Sequence, residues 1–169
     1  LREYVQRAVG CSAFGKVRDH VLFIPFGSGA NGKSVFLSLV MRALGDYARS
    51  ADPGLLLQHN NDPHPTGLAD LEGARFVYTS EPDPGKRLAE STVKAITGGD
   101  RVKARRMRQD FYEFDPTWTL WLATNHRPEV RGTDEGIWRR LKLVPFEVKI
   151  PPNEQDPDLT ETIIDRELS

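Results

Sequence analysis

Residues Gly27-Ser28-Gly29-Ala30-Asn31-Gly32-Lys33-Ser34 fit the pattern Gly-x-x-x-x-Gly-Lys-Ser/Thr without a gap. The chemistry of that spacing is phosphate binding. Glycines let the backbone curl so that successive N–H groups face one anion. The helix that follows adds the positive end of its dipole. Lys33 would then reach the β- and γ-phosphates of a nucleotide such as ATP, and the Ser34 hydroxyl would ligate Mg²⁺. The plain alternative is a glycine-rich turn that holds nothing. A chance match in a chain of this length arises roughly 0.5–1% of the time. An apolar run before the loop and a helical pattern after it favour the phosphate reading.

A phosphate loop needs an acid at the end of a neighbouring strand, to hold Mg²⁺ or to activate the attacking water. Glu81 ends an apolar run and follows Lys33 by 48 residues, with Ser80 before it. An isolated strand-end glutamate is commonly just solvated; the loop upstream is what raises Glu81. Asp83 is a weaker second choice, beyond the turn at Pro82. Asn125 closes another apolar run. Its neutral amide could hold the attacking water or touch the γ-phosphate without adding repulsive charge, or it could simply open the turn before Pro128.

Residues 86–108 hold eight basic side chains against Glu90 and Asp100. Lys94, Lys103, Arg105, Arg106 and Arg108 are among them, with Phe111 and Tyr112 just beyond. Clustered cations beside aromatics suit a nucleic-acid backbone. A solvated face is the competing reading. Arg139 and Arg140 follow Trp138 and read as a surface pair covering apolar area.

The elements that must position these groups follow from periodicity. Leu1–Ala13 has apolar residues at helical spacing, 21–26 is a buried strand, and Lys33–Leu44 is a helix capped by Gly45. Residues 52–66 read as loop, 75–79 as strand and 88–96 as helix. A hairpin spans 101–114, and strands cover 119–124 and 141–148 on either side of a helical turn at 136–140. An amphipathic helix starts near Asp158, with Leu159, Ile163 and Leu168 turned inward. Strands alternating with helices predict an α/β fold with a mostly parallel sheet.

Taken in order, these stretches resemble the superfamily 3 helicases, in particular the helicase domain of phage and plasmid primase-helicases. The matching residues are Phe26–Ser34, Leu71–Val77 leading to Glu81, Lys94–Asp100 with Ala104-Arg105, Trp121–Pro128, and Gly132–Arg140 to Pro145-Phe146. The resemblance implies a P-loop NTPase of the AAA+ class, a three-layer α/β/α core that assembles as a ring, usually a hexamer. It assigns Gly27–Ser34 to the Walker A motif, Glu81 to Walker B with Mg²⁺, and Asn125 to the polar sensor. Lys94 to Arg105 match a motif leading into a DNA-contacting hairpin, whose tip we set at Arg106–Asp110. Arg139 or Arg140 matches the arginine finger that reaches a neighbouring subunit's γ-phosphate. The implied activity is ATP-driven unwinding of DNA at an origin or fork, with 3′→5′ polarity, alongside a primase domain or other replication partners.

Composition bounds these readings. The chain has 169 residues and a formal net charge of −1. Its apolar runs are too short to span a membrane. One cysteine, Cys11, excludes an internal disulfide framework and a cysteine-built zinc site. Together with the absence of a visible signal peptide this predicts a cytoplasmic location, in a bacterial or phage-infected cell. The start at Leu1 predicts a piece of a longer chain, with a helix at 1–15, an ATPase core at 21–148 and a tail at 149–169. The near-zero charge hides opposites, since residues 147–169 carry seven acids against Lys149 and Arg166. Two rivals remain: a P-loop switch or kinase-like enzyme whose basic block takes a phosphorylated small substrate, and a DNA-binding module that uses ATP only for assembly.

Overall fold

A computed structural model describes residues 1–58, 65–80, 87–130, 132 and 134–167. The apolar run before the glycine-rich loop becomes β1 (Leu22–Phe26), buried at every position. It lies inside a five-stranded sheet with β2 (Ala48–Ser50), β3 (Phe76–Ser80), β6 (Thr119–Ala123) and β7 (Leu141–Pro145). The order is β2-β3-β6-β1-β7, and every neighbouring pair is parallel. A two-stranded antiparallel hairpin, β4 (Val102–Ala104) with β5 (Tyr112–Phe114), stands apart from the sheet.

Parallel strands joined by crossovers must be covered on both faces, and the side chains alternate accordingly. Leu22, Ile24, Val77, Leu120 and Leu122 face one cluster. There they meet Val93 and Ile96 of α4 (Glu90–Thr97) and Ile137 of α5 (Glu135–Trp138). Phe23, Phe76, Trp121 and Val144 face the other cluster, with Ala8 of α1 (Arg2–Ala13) and Leu37 and Val40 of α2 (Lys33–Leu44). The result is a three-layer P-loop α/β fold.

Trp121 is the hub of the second face. It is fully buried, stacks on Phe23 at 4.6 Å between ring centroids, and contacts Phe76 and Phe36. Its indole N–H donates to Ser12 Oγ at 3.1 Å, which fixes α1 to the sheet.

Pro25 in a central strand has a local consequence. Leu22 N–H points to Arg140 O on the β7 side, whereas Gly27 N–H points to Thr124 O on the β6 side. By alternation, the donor that Pro25 lacks falls on the β6 side. The β1–β6 ladder breaks there: it holds at Leu22 and Phe23 and resumes only as a bridge between Phe26 and Thr124.

Several expected boundaries move. β7 stops at Pro145 rather than at 148. Leu88 pairs with Leu57 instead of opening a helix, so α4 starts at Glu90. Part of the stretch read as loop forms α3 (Pro65–Ala69). The last helix, α6 (Leu159–Glu167), has no fully buried residue; it lies on α2, where Arg42 and Glu161 pair at 3.1 Å. Leu168 lies outside the described residues.

Candidate nucleotide and nucleic-acid site

The loop 27–32 curls as its glycines allow. Gly27, Gly29 and Gly32 take positive φ, and so does Ala30 at 47°. Gly27 has no substitute here, because a Cβ would collide with the carbonyl oxygen of Phe146 and with the Asn31 amide. Asn31 ties the loop to the strand end by donating to Phe146 O at 2.7 Å. Lys33 is buried, and its ammonium donates back into the loop, to Gly27 O at 2.5 Å and Asn31 Oδ1 at 3.1 Å. Burial lowers its pKa, since few groups replace water around the charge.

The loop residues fit a polyphosphate. The N-cap of α2 is Gly32, in the left-handed conformation and with no side chain to cap the helix. Its first-turn N–H groups therefore have no intrahelical acceptor and no capping oxygen. Lys33 supplies a cation inside the same curl, and Ser34 sits exposed in the first turn, so its hydroxyl is accessible to Mg²⁺. Ser28, Gly29 and Ala30 form the outer rim.

The C-terminal ends of β1, β3 and β6 lie together, because Phe26 bridges Thr124 and Ser80 pairs with Ala123. This edge of a parallel sheet is where ligands bind in such folds. Asn125 follows Thr124 directly and is exposed, in a turn braced by Thr124 Oγ1 and the main chain of His126. Glu81, expected just past Ser80, lies outside the described residues, as do Asp83 and Lys86. A residue that spacing did not single out is Arg127, whose guanidinium lies 5.1 Å from the Phe26 ring centroid, beside the start of the loop. No local pattern pairs residues a hundred positions apart.

The basic block divides into parts with different surroundings. Lys103 and Arg105 lie 5.1 and 5.0 Å from the centroid of Phe111, whose ring is half exposed. Arg108 is exposed in the turn, with φ of 61°, next to the exposed Met107. Arg106 is engaged by Glu72 at 3.1 Å, and Tyr112 donates to the same carboxylate at 2.9 Å. Lys94 precedes the hairpin, within the stretch read as a helix. It lies on α4, and its ammonium is paired with Asp134.

Arg139 and Arg140 sit at the far edge of the sheet. Leu141 begins β7 and pairs with Leu22, the first residue of β1, whereas the phosphate loop follows the last. Five residues of strand separate the two edges by about 17 Å. Arg139 is exposed. Arg140 is braced, donating to Gly136 O at 2.6 Å and Thr97 Oγ1 at 3.2 Å. Asp134 caps α5 by accepting Gly136 N–H at 2.7 Å. Lys94, that N–H and the nearby charge of Arg139 hold its carboxyl below the usual carboxylate range.

Comparison with known proteins adds four findings. A family model described as "Family of unknown function (DUF5906)" matches residues 26–140. The chain is 32% identical over 148 residues to "Putative helicase L207/L206" of Acanthamoeba polyphaga mimivirus, covering 86% of this chain and 15% of that protein. It is 28% identical over 160 residues to "Putative primase C962R" of African swine fever virus (isolate Warthog/Namibia/Wart80/1980), covering 93% of this chain and 16% of that one. The chain thus spans less than a fifth of the length of these relatives. The fold superposes on the NrS-1 C terminal region with a TM-score of 0.71 at 15% identity, over 97% of this chain and 39% of that one. These findings bear out the resemblance to superfamily 3 helicase domains. Among the described residues, no helix is long and apolar enough to cross a membrane.

Proposed function

The chain belongs to the DUF5906 family, and from that premise we propose that it is the ATP-hydrolysing domain of a DNA helicase acting in replication. It works between the subunits of a ring. One observation carries most of this reading: the phosphate loop and an exposed arginine lie at opposite edges of the same sheet. The sheet edge that carries Arg139 and the edge that carries its own loop are one strand length apart, about 17 Å, which favours action on a neighbour's phosphate over its own. The helicase name of the mimivirus relative agrees with it.

In this reading the N–H groups of residues 28–34 and Lys33 bind the β- and γ-phosphates of ATP. Ser34 and Glu81 would hold Mg²⁺, which adds positive charge at the phosphates. Asn125 orients the attacking water, and Arg139 of one subunit neutralises charge developing at the next. The hairpin, with Lys103, Arg105, Arg106, Arg108 and Phe111, grips single-stranded or fork DNA. Hydrolysis then requires assembly, because the site is completed in trans.

Purified protein should hydrolyse ATP with a specific activity that rises steeply with protein concentration and rises again with single-stranded DNA. Hydrolysis proportional to protein and indifferent to DNA would overturn the proposal.

A further inference from the structure

The segment that carries Arg139 is poorly able to hold its own shape. α5 has four residues, too few for a helix to be stable alone. Its position comes from α4. Glu90, Lys94 and Thr97 lie at i, i+4 and i+7, on one face of that helix. Each contacts the segment at a different point. Gly132 N–H donates to Glu90 Oε1 at 2.9 Å. The Lys94 ammonium pairs with Asp134. Arg140 Nε donates to Thr97 Oγ1 at 3.2 Å. A Cβ on Gly132 would meet the Glu90 carboxylate, so a side chain there would displace that carboxylate from the Gly132 N–H.

We propose that this face of α4 is the seat that positions Arg139, and that Lys94 is a positioning residue rather than a DNA contact. Lys94 holds Asp134; Asp134 in turn caps the first turn of α5; Arg139 extends from the end of that helix. The hairpin cations, by contrast, are on a separate element. α4 ends at Thr97, and residues 98–101 connect it to β4, so the seat and the hairpin are neighbours in the chain.

The inference rests on the ring-ATPase reading, and Lys94→Met tests it. Expected is a tenfold or greater drop in kcat for ATP, with KM, DNA affinity and its salt dependence within about twofold of the parent. Lys94→Arg, which keeps the ion pair, should recover most of the turnover. Asp134→Asn keeps a capping oxygen but loses the charge; it should match Lys94→Met, and the double variant should be no worse than either. Unchanged kcat, or weaker DNA binding with a shallower salt dependence, would overturn the proposal. A parent protein without ATP turnover would defeat the helicase reading alone. The seat is then read by hydrogen exchange at the Gly136 and Ile137 amides, which must quicken in Lys94→Met; unchanged exchange would overturn it.

Discussion

The Lys33 amine sits inside the phosphate loop with Gly27 O and Asn31 Oδ1 in place of water, and burial holds its pKa below the usual lysine range. The sign follows directly. The fold disfavours the ammonium, so the cost of holding it is present below the folded-state pKa and is relieved as pH rises through it. Phosphate oxygens beside the amine would push the pKa back up. Nucleotide binding should therefore take up protons at pH values between the lowered free-state pKa of Lys33 and its raised bound-state pKa. Calorimetry in buffers of different ionisation enthalpy measures this. The absence of proton uptake across the titration would mean that Lys33 does not meet the phosphates. The loop around it was legible from eight residues, because the backbone itself demands glycine where φ is positive and where Phe146 O crowds Gly27.

At the scale of elements, the hairpin β4–β5 was legible as two short strands about a basic turn, and the pairing of Ala104 with Tyr112 leaves the expected tip, Arg106–Asp110, between them. Its division of labour was not. Arg106 is drawn to Glu72, 34 positions away, and an exposed pair of this kind contributes at most about 1 kcal/mol. Phe111, flanked by Lys103 and Arg105, is the face a base would stack on. Stacking on an aromatic contributes about 1–3 kcal/mol per base. Phe111→Ala should weaken single-stranded DNA binding by that amount and leave the salt dependence intact. The triple change of Arg105, Arg106 and Arg108 to Ala should weaken binding and flatten the salt dependence. If titrations at several salt concentrations move with neither variant, the hairpin is a solvated face.

For the whole molecule, the separation of Arg139 from its own phosphate loop predicts complementation. Arg139→Ala should bind ATP and turn over slowly, by roughly three orders of magnitude if it acts as trans fingers do elsewhere. Mixing it with Lys33→Ala subunits should restore part of the hydrolysis, because hybrid interfaces join an intact loop to an intact arginine. No recovery at any ratio would exclude a trans role. Arg140→Ala separates the neighbouring arginines. It removes bonds to Gly136 and Thr97, so it should lower thermal stability as well as turnover, whereas Arg139→Ala should leave the melting temperature unchanged.

What the sequence determined by itself is local: the phosphate loop, β1 before it and α2 after it, with α2 expected and found at Lys33–Leu44. Glycine conformation, a short apolar run and helical periodicity act over a few residues, so a few residues suffice to read them. The three-residue β2 escaped because Ala48-Arg49-Ser50 has no alternation to show; pairing with β3 makes it a strand. Only the tertiary structure decided that Lys94 pairs with Asp134 across 40 positions, that Arg127 lies over Phe26, and that Arg139 lies at the opposite edge of the sheet from its own loop. Those relations depend on strand order and on which face each crossover covers. Such long-range contacts leave no periodic trace in the chain.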